Sequence, residues 1–101
     1  MYAFISGILD SAVNGIAVID CNGIGYEINV SPSTITKLPA PGKNVRLYTY
    51  LHVREDAMEL FGFLTQEEKD LYEILISVSG VGPKVGLAIL STLEPASLEL
   101  S

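Results

Sequence analysis

The chain has 101 residues, twelve acidic groups against six basic ones, and a formal net charge of −6, with 49% of its positions hydrophobic. That length holds one ordinary domain or two very small ones sharing a core, and apolar residues spread along the whole chain exclude a disordered polymer. The acidic balance argues against a free-standing nucleic-acid binder, because affinity for phosphate comes largely from Lys and Arg.

Cys21 is the single cysteine. It excludes an intramolecular disulfide and any multi-cysteine metal site, and it reads as a small, half-buried hydrophobe at a strand end. One cysteine fits a reducing compartment. Met1-Tyr2-Ala3-Phe4 lacks the basic region of a signal peptide. No apolar run approaches the roughly 18 residues that a membrane span needs, so a cytoplasmic chain is expected.

In chain order, residues 2–10 form a β-rich run around Gly7, where a bulge or sharp bend is expected. Asn14-Gly15 makes a turn and Ile16 to Asp20 a second strand. Asn22-Gly23 is a hairpin signal, since both residues tolerate the positive φ of a type I′ turn. Gly25 to Val30 is the third strand, with Tyr26, Ile28 and Val30 on one face and Glu27 and Asn29 on the other. Ser31 caps a short helix with Pro32 at its first position, and Pro39, Pro41 and Gly42 end it. Asn44 to Val53 is a fourth strand. Ala57 to Phe63 is a fifth, with Met58, Leu60 and Phe63 in its apolar set. Arg54-Glu55-Asp56 lies between these two strands. Three strands, a short helix and two strands is the element order of a five-stranded OB-type Greek-key barrel, with an SH3-like barrel as the competitor that strand counting leaves open.

At Thr65 the period changes to helical. Thr65-Gln66-Glu67-Glu68 is a capping box, with Glu68 reaching back, and the acidic first turn suits the helix dipole. Leu71, Ile74, Leu75 and Val78 form an apolar stripe. Gly80-Val81-Gly82-Pro83-Lys84 follows, and then a second helix with Leu87, Leu90 and Val85 assigned to its buried face. Glu94-Pro95 breaks that helix, and residues 96–101 begin another.

Glycines at 80 and 82 allow close backbone approach and positive φ. The second helix then points its free N–H groups at the same place, beside Lys84, which makes an anion site suited to phosphate. The competing reading is a tight αα-hairpin with a glycine cap and no ligand, and spacing does not decide between them. No phosphate loop of the Walker type is present, and the sole histidine, His52, has no nucleophile or metal-ligand partners at suggestive spacing. His52 reads as a packed or solvated strand residue. Asp10, Asp20 and Glu27 read as solubilising charge. The chain is therefore expected not to be an enzyme and to use no cofactor and no metal.

Several segments together resemble the N-terminal part of the RuvA family, bacterial subunits that bind Holliday junctions. They are residues 2–7, residues 22–27, Leu51-His52-Val53-Arg54-Glu55-Asp56-Ala57, residues 60–63, and residues 76–84. The resemblance implies an OB-fold domain over residues 1–64, followed over residues 65–101 by the first helix–hairpin–helix of an incomplete DNA-binding domain. It further implies that Ser79, Gly80, Val81, Gly82, Pro83 and Lys84 hold the DNA backbone. Gly86 would let the two helices approach closely. Glu55 and Asp56 would form an acidic pin near the centre of a homotetramer, where their charge disfavours continuous duplex. The implied partners are four-way junction DNA, further copies of the chain as a tetramer or an octamer, the ATP-hydrolysing RuvB motor and the RuvC resolvase, in recombination, repair and the SOS response. A different class of function also fits: a structural module whose barrel self-assembles and whose hairpin only packs.

Overall fold

The computed structural model describes residues 2–78 and 80–92. Its elements are β1 (Phe4–Val13), β2 (Ile16–Cys21), β3 (Ile24–Asn29), α1 (Pro32–Lys37), β4 (Asn44–Val53), β5 (Met58–Phe63), α2 (Gln66–Ser77) and α3 (Pro83–Thr92). The expected third helix, over residues 96–101, lies outside the described residues.

The five strands close into a barrel in the order β1-β2-β3-β5-β4, with β4 returning to β1. This is the OB arrangement. Only β3 and β5 run parallel, and they pair at just two positions, Ile28 with Leu60 and Asn29 with Phe61. The Asn29 side chain reinforces that short seam by donating to the Leu60 carbonyl at 3.0 Å. Both Asn-Gly turns take the predicted conformation: φ is 54° at Asn14 and 77° at Gly15, and 52° at Asn22 and 92° at Gly23. Asp20, assigned only to solubility by its sequence, accepts the Gly23 N–H at 2.8 Å and ties the second turn down. Cys21 is half-buried at the end of β2.

Period-2 alternation fills the barrel with Ile5, Leu9, Ala17, Ile19, Ile28, Val30 and Leu47. α1 lies against this core through Ile35 and Leu38. Its cap forms as expected: the Ser31 hydroxyl accepts the Thr34 N–H at 3.2 Å, and both residues are buried. The bend in β1 differs from expectation. Register shifts between Leu9 and Ser11, not at Gly7. Gly7 is instead the point where strand backbones crowd, since a Cβ there would sit 2.5 Å from the Asp20 carbonyl oxygen.

β5 departs furthest from its predicted pattern. Met58 is exposed, and Phe61, Gly62 and Phe63 are all buried. The strand has two covered faces. Leu60, Gly62 and Leu64 turn toward the barrel interior, where a Cβ on Gly62 would meet Ile28 Cγ2 at 2.6 Å and Leu47 Cδ1 at 3.1 Å. Phe61 and Phe63 turn outward, into a second core with Tyr72, Leu87 and Leu90 of the helices.

That second core seats α2 and α3 on the barrel. Tyr72 is fully buried, with ring centroids of Phe63, Tyr50 and Phe61 at 4.8, 5.6 and 5.9 Å. The predicted stripe of α2 is therefore rotated: Ile74 and Val78 face solvent, as does Val85 of α3, and Tyr72 takes their place. Thr65 caps α2, accepting the Glu68 N–H at 3.1 Å. Glu68 reaches back to the Thr65 hydroxyl, at 3.3 Å, and is itself nearly buried. Among the described residues no helix is long and apolar enough to cross a membrane.

Candidate functional site

Two sequence-local features project from this frame: the turn between α2 and α3, and the turn between β4 and β5. In the first, the helical ladder of α2 stops at Val78, whose N–H bonds the Leu75 carbonyl at 3.2 Å. Ser79 lies outside the described residues. Gly80 then reverses the chain with φ at +87°, a conformation that a side chain rarely adopts. The Val81 N–H returns to the Val78 carbonyl at 3.1 Å, and Val81 is half-buried at the hairpin tip. The Gly82 carbonyl accepts the Gly86 N–H at 2.8 Å, which starts the ladder of α3.

The glycines at 80 and 82 have different reasons. Gly80 is required by its backbone angle. Gly82 has an ordinary φ, and a Cβ placed there would meet nothing within 4 Å. Among the described residues no contact demands glycine at 82, and the space before its backbone is open. Pro83 opens α3, where its missing N–H costs nothing. The N–H groups of Lys84 and Val85 fall in the first turn and have no intrahelical acceptor. They point outward together with the positive end of the helix dipole, beside the exposed Lys84 side chain.

Packing behind the hairpin makes it rigid. A Cβ on Gly86 would come within 2.8 Å of Ile76 Cγ2 and 3.2 Å of Tyr72 Cε1, so glycine there sets the spacing of α2 and α3. The two helices cannot slide without displacing the Tyr72 ring from its aromatic seat.

The second feature is the tip of the β4–β5 hairpin. The Arg54 N–H bonds the Ala57 carbonyl at 2.8 Å, closing a tight turn with Glu55 and Asp56 at its apex. Both carboxylates are exposed, and among the described residues neither forms an ion pair. Arg54 turns instead to Glu59, with Nη2 and Oε1 3.0 Å apart. The acidic tip thus presents its charge unneutralised.

These two features, distant in sequence, share a boundary. His52, Arg54 and Glu59 line one side of an open cleft of about 370 Å³, and Gly82, Pro83, Lys84 and Val85 line the other. Sequence reasoning placed Arg54 in the acidic turn and set His52 aside. His52 is half-buried, its ring edge-on to Phe61 at 6.5 Å. Its neighbourhood with the glycine hairpin depends on how the helices dock, which no local pattern reports.

Comparisons with known proteins place the chain in a family. A family model described as the RuvA N terminal domain matches residues 1–62. The chain is similar to proteins named Holliday junction branch migration complex subunit RuvA from several bacteria. It is 48% identical over 101 residues to that of Acetivibrio thermocellus, covering all of this chain and 50% of the relative. It is 56% identical over 97 residues to that of Symbiobacterium thermophilum, covering 96% of this chain and 47% of the relative. With that of Chlorobaculum parvum it shares 48% identity over 99 residues, covering 98% of this chain and 48% of the relative. The chain spans about half the length of the curated relatives it matches.

Proposed function

The chain belongs to the RuvA family through its N-terminal domain, and from that premise we propose that it is a non-catalytic DNA-binding subunit that recognises four-way junctions by shape and not by base sequence. Residues 1–64 act as the self-assembling OB-fold unit, forming a homotetramer. Residues 65–101 begin the DNA-gripping unit. Branch migration itself is driven by an ATP-hydrolysing partner, the RuvB motor, with RuvC resolving the junction, in cytoplasmic recombination and repair.

One observation carries this reading: a glycine hairpin with open backbone before Gly82 is held rigidly beside a turn whose carboxylates are left unpaired. The hairpin N–H groups and Lys84 hold a phosphate wherever the backbone passes, which positions a duplex without reading it. Ser79, Gly80, Val81 and Pro83 complete that grip. Glu55 and Asp56 act by repulsion. Gathered from four copies at the centre of a tetramer, they penalise a continuous duplex lying across the face and spare a junction, whose strands part there.

The test is a salt-titrated binding comparison of four-way junction and linear duplex, with oligomeric mass measured in the same buffers. Replacing Glu55 by Gln and Asp56 by Asn should raise affinity for linear duplex relative to junction. A ratio that does not move removes the pin from the mechanism. Lys84→Ala should weaken both ligands alike, since a phosphate contact carries no sequence or shape information. Equal affinity of the unsubstituted chain for junction and duplex would refute junction recognition.

A further inference from the structure

The cleft between the barrel and the glycine hairpin gathers positive charge from two separate parts of the fold. The chain has six basic residues. Arg46 is spent on the Phe4 ring, with its guanidinium carbon 4.1 Å from the ring centre. Arg54 and Lys84 come from elements far apart in sequence and border the same opening, and the only histidine, His52, borders it too. In a chain with net charge −6, two cations against one carboxylate, Glu59, leave this opening with a small local excess of positive charge.

The walls are fixed. Lys84 is carried by α3, whose Leu87 and Leu90 are locked into the second core with Phe61 and Phe63 of β5. Arg54 is held by its backbone bond to Ala57 and by its ion pair with Glu59. His52 lies directly across the strand pair from Glu59. Among the described residues Glu59 is the one carboxylate lining the cleft. Glu59 engages only Nη2 of the guanidinium, so among the described residues the remaining Arg54 donors stay open to a second acceptor.

We propose that this cleft is a composite phosphodiester site in which Arg54 and His52 of the barrel contact the same DNA backbone that Lys84 and the hairpin hold. This rests on the reading of the hairpin as a DNA grip and extends it: the barrel itself touches the strand. A guanidinium supplies the forked donors that phosphate favours, Lys84 a mobile point charge, and the imidazole a ring N–H donor. Arg54 also adjoins Glu55 in the chain, so the phosphate it holds fixes where the acidic tip stands relative to the gripped strand.

Salt dependence of binding by the full chain tests this, with a linear duplex and a four-way junction as probes. For each bound chain, Arg54→Gln should lower the slope of log affinity against log salt by about 0.9, the value for one phosphate contact. Lost affinity between 50 and 200 mM salt then shrinks about 3.5-fold for each contact removed. Arg54→Gln combined with Lys84→Ala should lower the slope by about twice as much. Glu59→Gln is the decisive companion. If Arg54 served only to pair with Glu59, both substitutions would act alike. A phosphate site requires opposite effects, with Glu59→Gln tightening binding and Arg54→Gln weakening it. A normal slope for Arg54→Gln with a reduced one for Lys84→Ala overturns the composite site and leaves the hairpin grip standing. Unchanged slopes for both, or no binding to either DNA at the lowest salt, overturn the two together.

Discussion

Removing one oxygen atom from Tyr72 should make the protein more stable. The ring is completely buried among Tyr50, Phe61 and Phe63, yet among the described residues its hydroxyl has no hydrogen-bond partner. A buried hydroxyl left unsatisfied costs about 1–3 kcal/mol in mutational data. Tyr72→Phe keeps the aromatic contacts and removes that cost. The void left by a single oxygen offsets part of the gain, so the net expectation is about 1 kcal/mol. For a chain of this size that corresponds to roughly 4–8 °C in Tm. In urea the midpoint should rise at constant slope, since the surface exposed on unfolding is unchanged. The same hydroxyl gives a pH signature. Burial pushes the Tyr72 phenol well above its ordinary value, with smaller contributions from Tyr50 and Glu59. In the unfolded chain it titrates near about 10. Below that pH both states keep the proton and the stability is fully present. Above it the unfolded state ionises while the folded state holds its proton. Stability then falls by about 1.4 kcal/mol per pH unit from this group. The advantage of Tyr72→Phe over the parent should therefore grow as pH rises past 10. Loss of 1 kcal/mol or more at neutral pH, or a difference that stays constant through the alkaline range, would refute the assignment of an unsatisfied buried hydroxyl.

Gly62→Val would drive methyl groups into Ile28 and Leu47 inside a closed barrel and should cost about 1–3 kcal/mol by urea unfolding; a neutral result would mean that the barrel interior has slack. Thr65→Ala should cost about 1 kcal/mol by removing the cap of α2 and the partner of Glu68, and Thr65→Ser should restore most of it. Gly80→Ala and Gly82→Ala should divide stability from binding. Alanine at 80 must adopt a left-handed conformation, at about 1–2 kcal/mol. Alanine at 82 meets open space, so its thermal midpoint should be unchanged while DNA affinity drops at least several-fold. Equal binding by Gly82→Ala would show that no ligand approaches that backbone.

The parts of this fold that were legible in the sequence are those written by neighbours along the chain. Asn14-Gly15 and Asn22-Gly23 announce positive φ, and Ser31 and Thr65 announce helix starts, because each acts within about four residues. The glycine hairpin was legible for the same reason. Positions whose burial is decided by another element were not. Alternation in β5 predicts one buried face, and that reading put Met58 inside and passed over Phe61, because it takes no account of helices covering the outside of the barrel. In α2 several rotations bury comparable apolar area. The one adopted is set by Phe61 and Phe63 on one side of Tyr72 and by Gly86 on the other, so Ile74 and Val78 are left in solvent. The cleft was invisible for a related reason. His52 and Arg54 meet Lys84 only because the second core fixes how the hairpin sits.

β5 also governs how separable the two halves of the molecule are. A strand with water on its outer face can change its companions freely during evolution or engineering. This one cannot, because its outward side chains are Phe61 and Phe63, flanked by Tyr50. A barrel cut free after residue 64 would carry those rings as an adhesive patch, prone to association with other barrels. The helical pair is thus no detachable attachment to a generic barrel. Any replacement would have to bring its own aromatic-matching surface, or the exchange would need a simultaneous rewrite of β5, while Gly62 and the interior beneath it could remain untouched.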